Sequence, residues 1–82
     1  MVRVRFLPEF QKIFSKIKDS VLKEKILKQI EKIRENPEIG KPMQYNRKGT
    51  RELYIAPFRL SYVYHLKEGI VDLADLYHKD EQ

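Results

Sequence analysis

Cysteine is absent from these 82 residues, so neither a disulfide framework nor a thiolate metal site holds the chain together, and packing must. Glycine is scarce. The three glycines form no phosphate-cradling loop, and there is no G-x-S-x-G elbow, which argues against nucleotide hydrolysis and serine-type hydrolysis. No apolar run approaches the roughly 18 residues of a membrane helix, and Met1 to Leu7 lacks the long apolar centre of a signal peptide. The expectation is a cytoplasmic protein with no membrane contact. The two histidines, His65 and His78, fall on different predicted strands, and the acidic residues mostly alternate with lysine. That is a poor arrangement for a metal, and no metal or cofactor is expected.

The rest of the composition describes a folded domain. Hydrophobic residues make up 41% and charged residues 35%, too apolar for a disordered tail. A chain this short buries only about 60% of the surface its unfolded form exposes, so a single domain with a small core is expected over residues 1–82. Lysine and arginine number 17 against 12 aspartates and glutamates, a net charge of +5. That balance favours a polyanion or an acidic protein as partner.

Val2 to Leu7 alternates Val2, Val4 and Phe6 with Arg3 and Arg5, which predicts a half-buried strand with one basic face. A first helix is predicted from Glu9 to Lys18, with Phe10, Ile13, Phe14 and Ile17 on one side. Asp19-Ser20 offers the N-cap of a second helix with the stripe Leu22, Ile26, Ile30 and Ile33. It stops at Asn36, because proline at 37 disfavours a helical backbone before it. Glu38 to Gly49 lacks periodicity and reads as a loop carrying Lys41, Arg47 and Lys48. A final strand runs from Ile70 to about Tyr77, entered through a Glu68-Gly69 turn. The order β-α-α-β-β-β predicts an α+β two-layer sandwich, two helices on one face of a mainly antiparallel four-stranded sheet whose other face stays open.

The chain is organised around Thr50 to Tyr64, two alternating strands joined at Ala56-Pro57. Pairing Ile55 with Phe58 places Leu53 opposite Leu60, Arg51 opposite Tyr62, Tyr54 opposite Arg59 and Glu52 opposite Ser61. Leu53, Ile55, Leu60, Tyr62 and Tyr64 then form the apolar face, and Glu52, Tyr54, Arg59 and Ser61 share the other. The last strand returns to Arg59. A turn at Glu68-Gly69 sets His78 opposite Arg59, and a turn one residue earlier sets Leu76 there. Either register gathers Arg59, Tyr54, Glu52, His78 and Lys79 into one patch, in which the plainest reading of Arg59 is a surface cation paired with Glu52 or Asp80. His65 lies about 20 Å along the strand at about 3.3 Å per residue and reads as an exposed strand-end residue. One chemistry open to such a patch without metal is RNA cleavage by the 2′-hydroxyl, helped by a base, a cation on the phosphate and an acid for the leaving oxygen.

The helix ending at Asn36-Pro37, the R-E-L at Arg51 to Leu53, the F-R-L-S-Y at Phe58 to Tyr62 and the L-Y-H-K at Leu76 to Lys79 resemble the RelE/ParE toxin superfamily. The resemblance implies a type II toxin. In the RelE kind it implies a ribosome-dependent endoribonuclease that cuts mRNA in the A site, leaving a 2′,3′-cyclic phosphate and a 5′-hydroxyl. Arg59 would then stabilise the phosphate, Lys79 would stand near a second family arginine that helps the leaving group, and His78 or Tyr54 would supply proton transfer or stacking. Arg47, Lys48 and Arg51 would hold the RNA or ribosome backbone, and an acidic RelB-like antitoxin would be the protein partner. Two family lysines are replaced by Glu52 and Tyr54, and the family's terminal tyrosine has Tyr77 or Tyr54 as its nearest substitute. The alternatives are a ParE-type toxin that binds gyrase without nuclease activity, and a catalytically weak, antitoxin-bound co-repressor.

Overall fold

The computed structural model describes residues 1–43 and 49–78. Its elements are β1 (Arg3–Phe6), α1 (Pro8–Lys16), α2 (Ser20–Glu35), β2 (Lys41–Pro42), β3 (Thr50–Ile55), β4 (Phe58–His65) and β5 (Ile70–His78). The strands form one sheet in the order β1-β5-β4-β3-β2, with β1 parallel to β5 and every other pair antiparallel. The predicted sandwich is therefore present with a fifth strand. β2 is two residues long, and sequence periodicity cannot register so short a pairing.

Local chemistry sets the helix ends. Pro8 opens α1 in its first turn, where a missing N–H breaks no intrahelical bond. The backbone at Ile17 is extended, so α1 stops at Lys16, short of the predicted Lys18. The Asp19 carboxylate caps α2 by accepting from the Val21 and Leu22 amides at 3.0 and 3.2 Å. Lys32 and Arg34 lie in its last turn, where positive charge complements the helix dipole.

Phe10 and Ile17 from the first helical segment and Ile26, Ile30 and Ile33 from α2 join Ile55, Leu60, Tyr62, Val71, Leu73 and Leu76 from the sheet in one buried cluster. Leu22, Phe14 and Leu53, also expected in the core, pack against its margin. Tyr62 does more than fill space. Its hydroxyl accepts from the Gly40 amide and donates to the Pro37 carbonyl, both at 2.8 Å, fastening the segment after α2 to the sheet. A Cβ on Gly40 would stand 2.5 Å from that hydroxyl oxygen, so glycine is required for this approach. Burial pushes the Tyr62 phenol above its usual 10.0 and keeps it a donor. Tyr62→Phe strands a buried amide and a half-buried carbonyl, and denaturant unfolding is expected to show a loss of about 1–3 kcal/mol.

The β3–β4 register follows the expected pairing at every position from Arg51↔Tyr62 to Ile55↔Phe58. The β4–β5 register does not. The connection between these strands spans residues 66–69 and sets His65 opposite Ile70, and the Gly69 amide closes it onto the His65 carbonyl at 2.9 Å. A bulge then falls beside Ser61 and Tyr62, so that Tyr62 faces Leu73 while Ser61 faces Asp75. The extra residue in β5 lets both Leu73 and Leu76 enter the core and reverses the alternation beyond them. As a result Tyr77 stands opposite Arg59, and neither His78 nor Leu76 does.

Candidate functional site

On the face turned away from the helices, cross-strand pairing lines up Tyr54, Arg59 and Tyr77 in one row and Glu52, Ser61 and Asp75 in the next. The rows meet at Glu52. The Tyr77 hydroxyl donates to Glu52 Oε2 across the width of β4. Arg59 Nη1 lies 3.7 Å from Glu52 Oε1, with the arginine side chain 36% exposed and the glutamate 5%. A buried carboxylate is costly unless it is paired and hydrogen-bonded, and here one oxygen faces a phenol and the other a guanidinium. At 3.7 Å the arginine contact is ionic and longer than a hydrogen bond. One such contact does not saturate five N–H donors, and Arg59 Nε has no hydrogen-bond partner among the described residues. The guanidinium carbon stands 5.9 Å from the Tyr54 ring centroid, within cation–π range, and Tyr54 itself is 52% exposed. The site thus offers a cation between two aromatic rings, with a carboxylate beneath.

The other expected site residues are dispersed. His78 pairs with Phe58, and its ring meets the Phe58 ring edge-on at 5.9 Å. It therefore shares the helix-side face and points away from Arg59. Arg51 pairs with Tyr62 on the same side and donates to the carbonyls of Glu38 and Gly40 at 3.0 and 2.8 Å. That holds it in the anchor of the segment after α2. Arg47, Lys48 and Lys79 lie outside the described residues, as does Asp80.

A second polar cluster occupies the far end of the same face. Arg5 makes a bidentate pair with Asp72, Nε to Oδ1 at 2.5 Å and Nη2 to Oδ2 at 2.8 Å, and His65 Nε2 lies 2.9 Å from Asp72 Oδ2. His65 is thus a strand-end residue engaged with a carboxylate. The hydrogen bonds from Arg5 hold the Asp72 carboxyl well below its usual 3.8, at about 2, against burial and with help from His65. Because the folded state keeps this group ionised to lower pH than the unfolded chain does, its stabilisation is complete above about pH 4 and disappears as pH falls toward 2. Asp72→Asn is expected to lower the melting temperature at neutral pH and to flatten its decline between pH 4 and 2, as followed by circular dichroism.

The place of Tyr77 opposite Arg59 and the burial of Glu52 are the features that sequence reasoning missed. Leu73 and Leu76, spaced three apart in a strand with a two-residue period, were the available sign of a bulge.

Residues 4–82 match the family profile described as the ParE toxin of type II toxin–antitoxin systems, parDE. The chain belongs to that family. It is a type II toxin of the RelE/ParE/YoeB fold. Its structure matches the toxin of the intact E. coli RelBE toxin–antitoxin complex at a TM-score of 0.82 and 18% identity, covering 100% of both chains. It matches a YoeB/ParE toxin from Agrobacterium tumefaciens at 0.82 and 16% identity, over 93% of this chain and 96% of that one. The archaeal RelE–RelB complex from Pyrococcus horikoshii matches at 0.80 and 13% identity, over 99% and 98%. These likenesses are of fold. No curated protein matches the sequence. Among the described residues no helix is long and apolar enough to cross a membrane.

Proposed function

We propose that this toxin is a metal-independent endoribonuclease that cleaves mRNA on the ribosome, in the cytoplasm. The observation that carries the reading is Arg59, a partly exposed cation on the helix-free face with Tyr54 and Tyr77 beside it. In the reaction the 2′-hydroxyl attacks the adjacent phosphorus and expels the 5′-oxygen. Arg59 binds the non-bridging phosphate oxygens and offsets the charge that grows on them. Tyr54 offers an exposed ring on which a base stacks. The family resemblance assigns Lys79 to support the leaving oxygen, and Arg47 and Lys48 to hold the RNA or ribosome backbone. His78, set against Phe58, receives no step, and Arg51 serves the fold. An acidic antitoxin complements the +5 charge and controls the toxin, as the complexes of RelE with antitoxin suggest.

The second reading is a toxin that binds gyrase. It is favoured by the family description and by Glu52, whose carboxylate offsets Arg59. Single-turnover cleavage of mRNA on programmed ribosomes, run beside a gyrase supercoiling assay, separates the two. Cleavage by the wild type supports the nuclease, and loss of supercoiling without cleavage replaces it with the gyrase reading.

A further inference from the structure

Glu52 is a buried carboxylate that the steps above leave unused. It faces Lys41 across the β2–β3 pair, Arg59 from β4, and Tyr77 and the Asp75 row from β5. With its side chain 5% exposed, it cannot meet an RNA hydroxyl itself. Tyr77 can. Its phenol oxygen touches Glu52, and its cross-strand neighbour is the cation proposed to hold the phosphate.

We infer that Tyr77 and Glu52 form the proton path of the cleavage reaction, Tyr77 as the group that touches the attacking 2′-hydroxyl and Glu52 as the residue that positions it and stores the proton. The inference rests on the nuclease reading. As the O2′–P bond forms, the 2′-hydroxyl proton passes to the Tyr77 oxygen, and the Tyr77 proton passes to Glu52 Oε2. No free phenolate is needed, because the phenol gives one proton as it takes another. The P–O5′ bond breaks, and the leaving oxygen takes a proton from a water molecule. The hydroxide so formed recovers the stored proton from Glu52 through Tyr77. The products are a 2′,3′-cyclic phosphate and a 5′-hydroxyl, and the enzyme returns to its starting state.

The same carboxylate couples this path to Arg59. While ionised, Glu52 offsets part of the guanidinium charge across 3.7 Å. Once it takes the proton it is neutral, and the full charge of Arg59 acts on the phosphate while negative charge builds there. Base and electrophile are thus linked through one side chain. A merely structural Glu52 would hold Tyr77 in place and carry no proton.

The test is single-turnover cleavage on mRNA-programmed ribosomes at saturating toxin, with Tyr77→Phe, Glu52→Gln and the double variant, each checked for folding by its melting curve. Each single change is expected to slow cleavage by about 10²-fold or more, and the double variant to be no slower than the singles. In mixtures of water and deuterium oxide, the wild-type rate is expected to vary along a curve, as for two protons in flight, and the rate of folded Tyr77→Phe along a straight line. If Glu52→Gln does not fold, Tyr77→Phe and the wild-type isotope curve decide. A cleaving wild type with a linear isotope dependence, or a folded Tyr77→Phe that cleaves at the wild-type rate, overturns the inference and leaves the nuclease reading standing. A wild type that does not cleave ends both.

Discussion

Arg59→Ala is expected to slow the single-turnover cleavage of ribosome-bound mRNA by about 10² to 10³-fold, the usual cost of losing one donor to a developing oxyanion. Ribosome binding should change little, because the backbone contacts assigned to Arg47 and Lys48 are untouched, so the loss appears in the chemical step and not in the concentration of toxin needed to saturate it. Arg59→Lys should fall between the two. An ammonium keeps the charge but lacks the planar fork that spans two phosphate oxygens, and it cannot present the same face to the Tyr54 ring. Removing Arg59 also deprives buried Glu52 of its cation, so a melting curve must accompany each rate. A folded Arg59→Ala that cleaves as fast as the wild type would remove the arginine from the mechanism and return it to the bland role of partner to Glu52.

The hairpin was legible because its alternation is strict on both sides of a two-residue turn, which leaves one register able to bury Leu53, Ile55, Leu60 and Tyr62 together. That register alone placed Tyr54 opposite Arg59. The helices were legible from their stripes, and Asp19 and Pro37 marked the ends of the second. The β5 strand was not, since V-D-L-A-D-L-Y-H satisfies a two-residue period only if one residue is set aside. The core set aside that residue to keep both Leu73 and Leu76, and this decision, made by packing on the helix side, selected Tyr77 over His78 on the other face. Arg51 illustrates a different limit. A basic strand residue beside a basic loop suggests a backbone contact with RNA, and nothing in the sequence shows that two carbonyls of the Glu38 to Gly40 segment come to rest against its guanidinium. Glu52 lies on the face that the alternation gives it, but nothing in the pattern shows its burial, because part of its cover comes from a strand that is not its neighbour.

Leu60→Ala should cost about 2 to 5 kcal/mol. Leu60 sits at the centre of the sheet, paired with Leu53 on one side and Leu76 on the other, and is fully buried. Truncation removes the favourable transfer of its missing carbons and leaves a cavity whose walls, Ile and Leu side chains anchored in hydrogen-bonded strands and in α2, have little freedom to close. A domain this size has about 5 to 10 kcal/mol in total, so the change consumes a large share of it. At about 4 to 8 °C per kcal/mol, the melting temperature should fall by about 10 °C or more. Leu66→Ala in the β4–β5 connection is the control: Leu66 is 72% exposed, and its loss should stay within about 0.5 kcal/mol. Leu60 is also flanked in sequence by Arg59 and Ser61, which face the candidate site, so the cavity tests how tightly the site depends on the core. If Leu60→Ala remains folded at low temperature, its cleavage rate there should stay near that of the wild type, because the backbone ladder that positions Arg59 against Tyr54 and Tyr77 does not pass through the missing side chain. A melting temperature equal to that of the wild type would show that Leu60 is not enclosed as described, and with it the assignment of the two faces of β4 would fall.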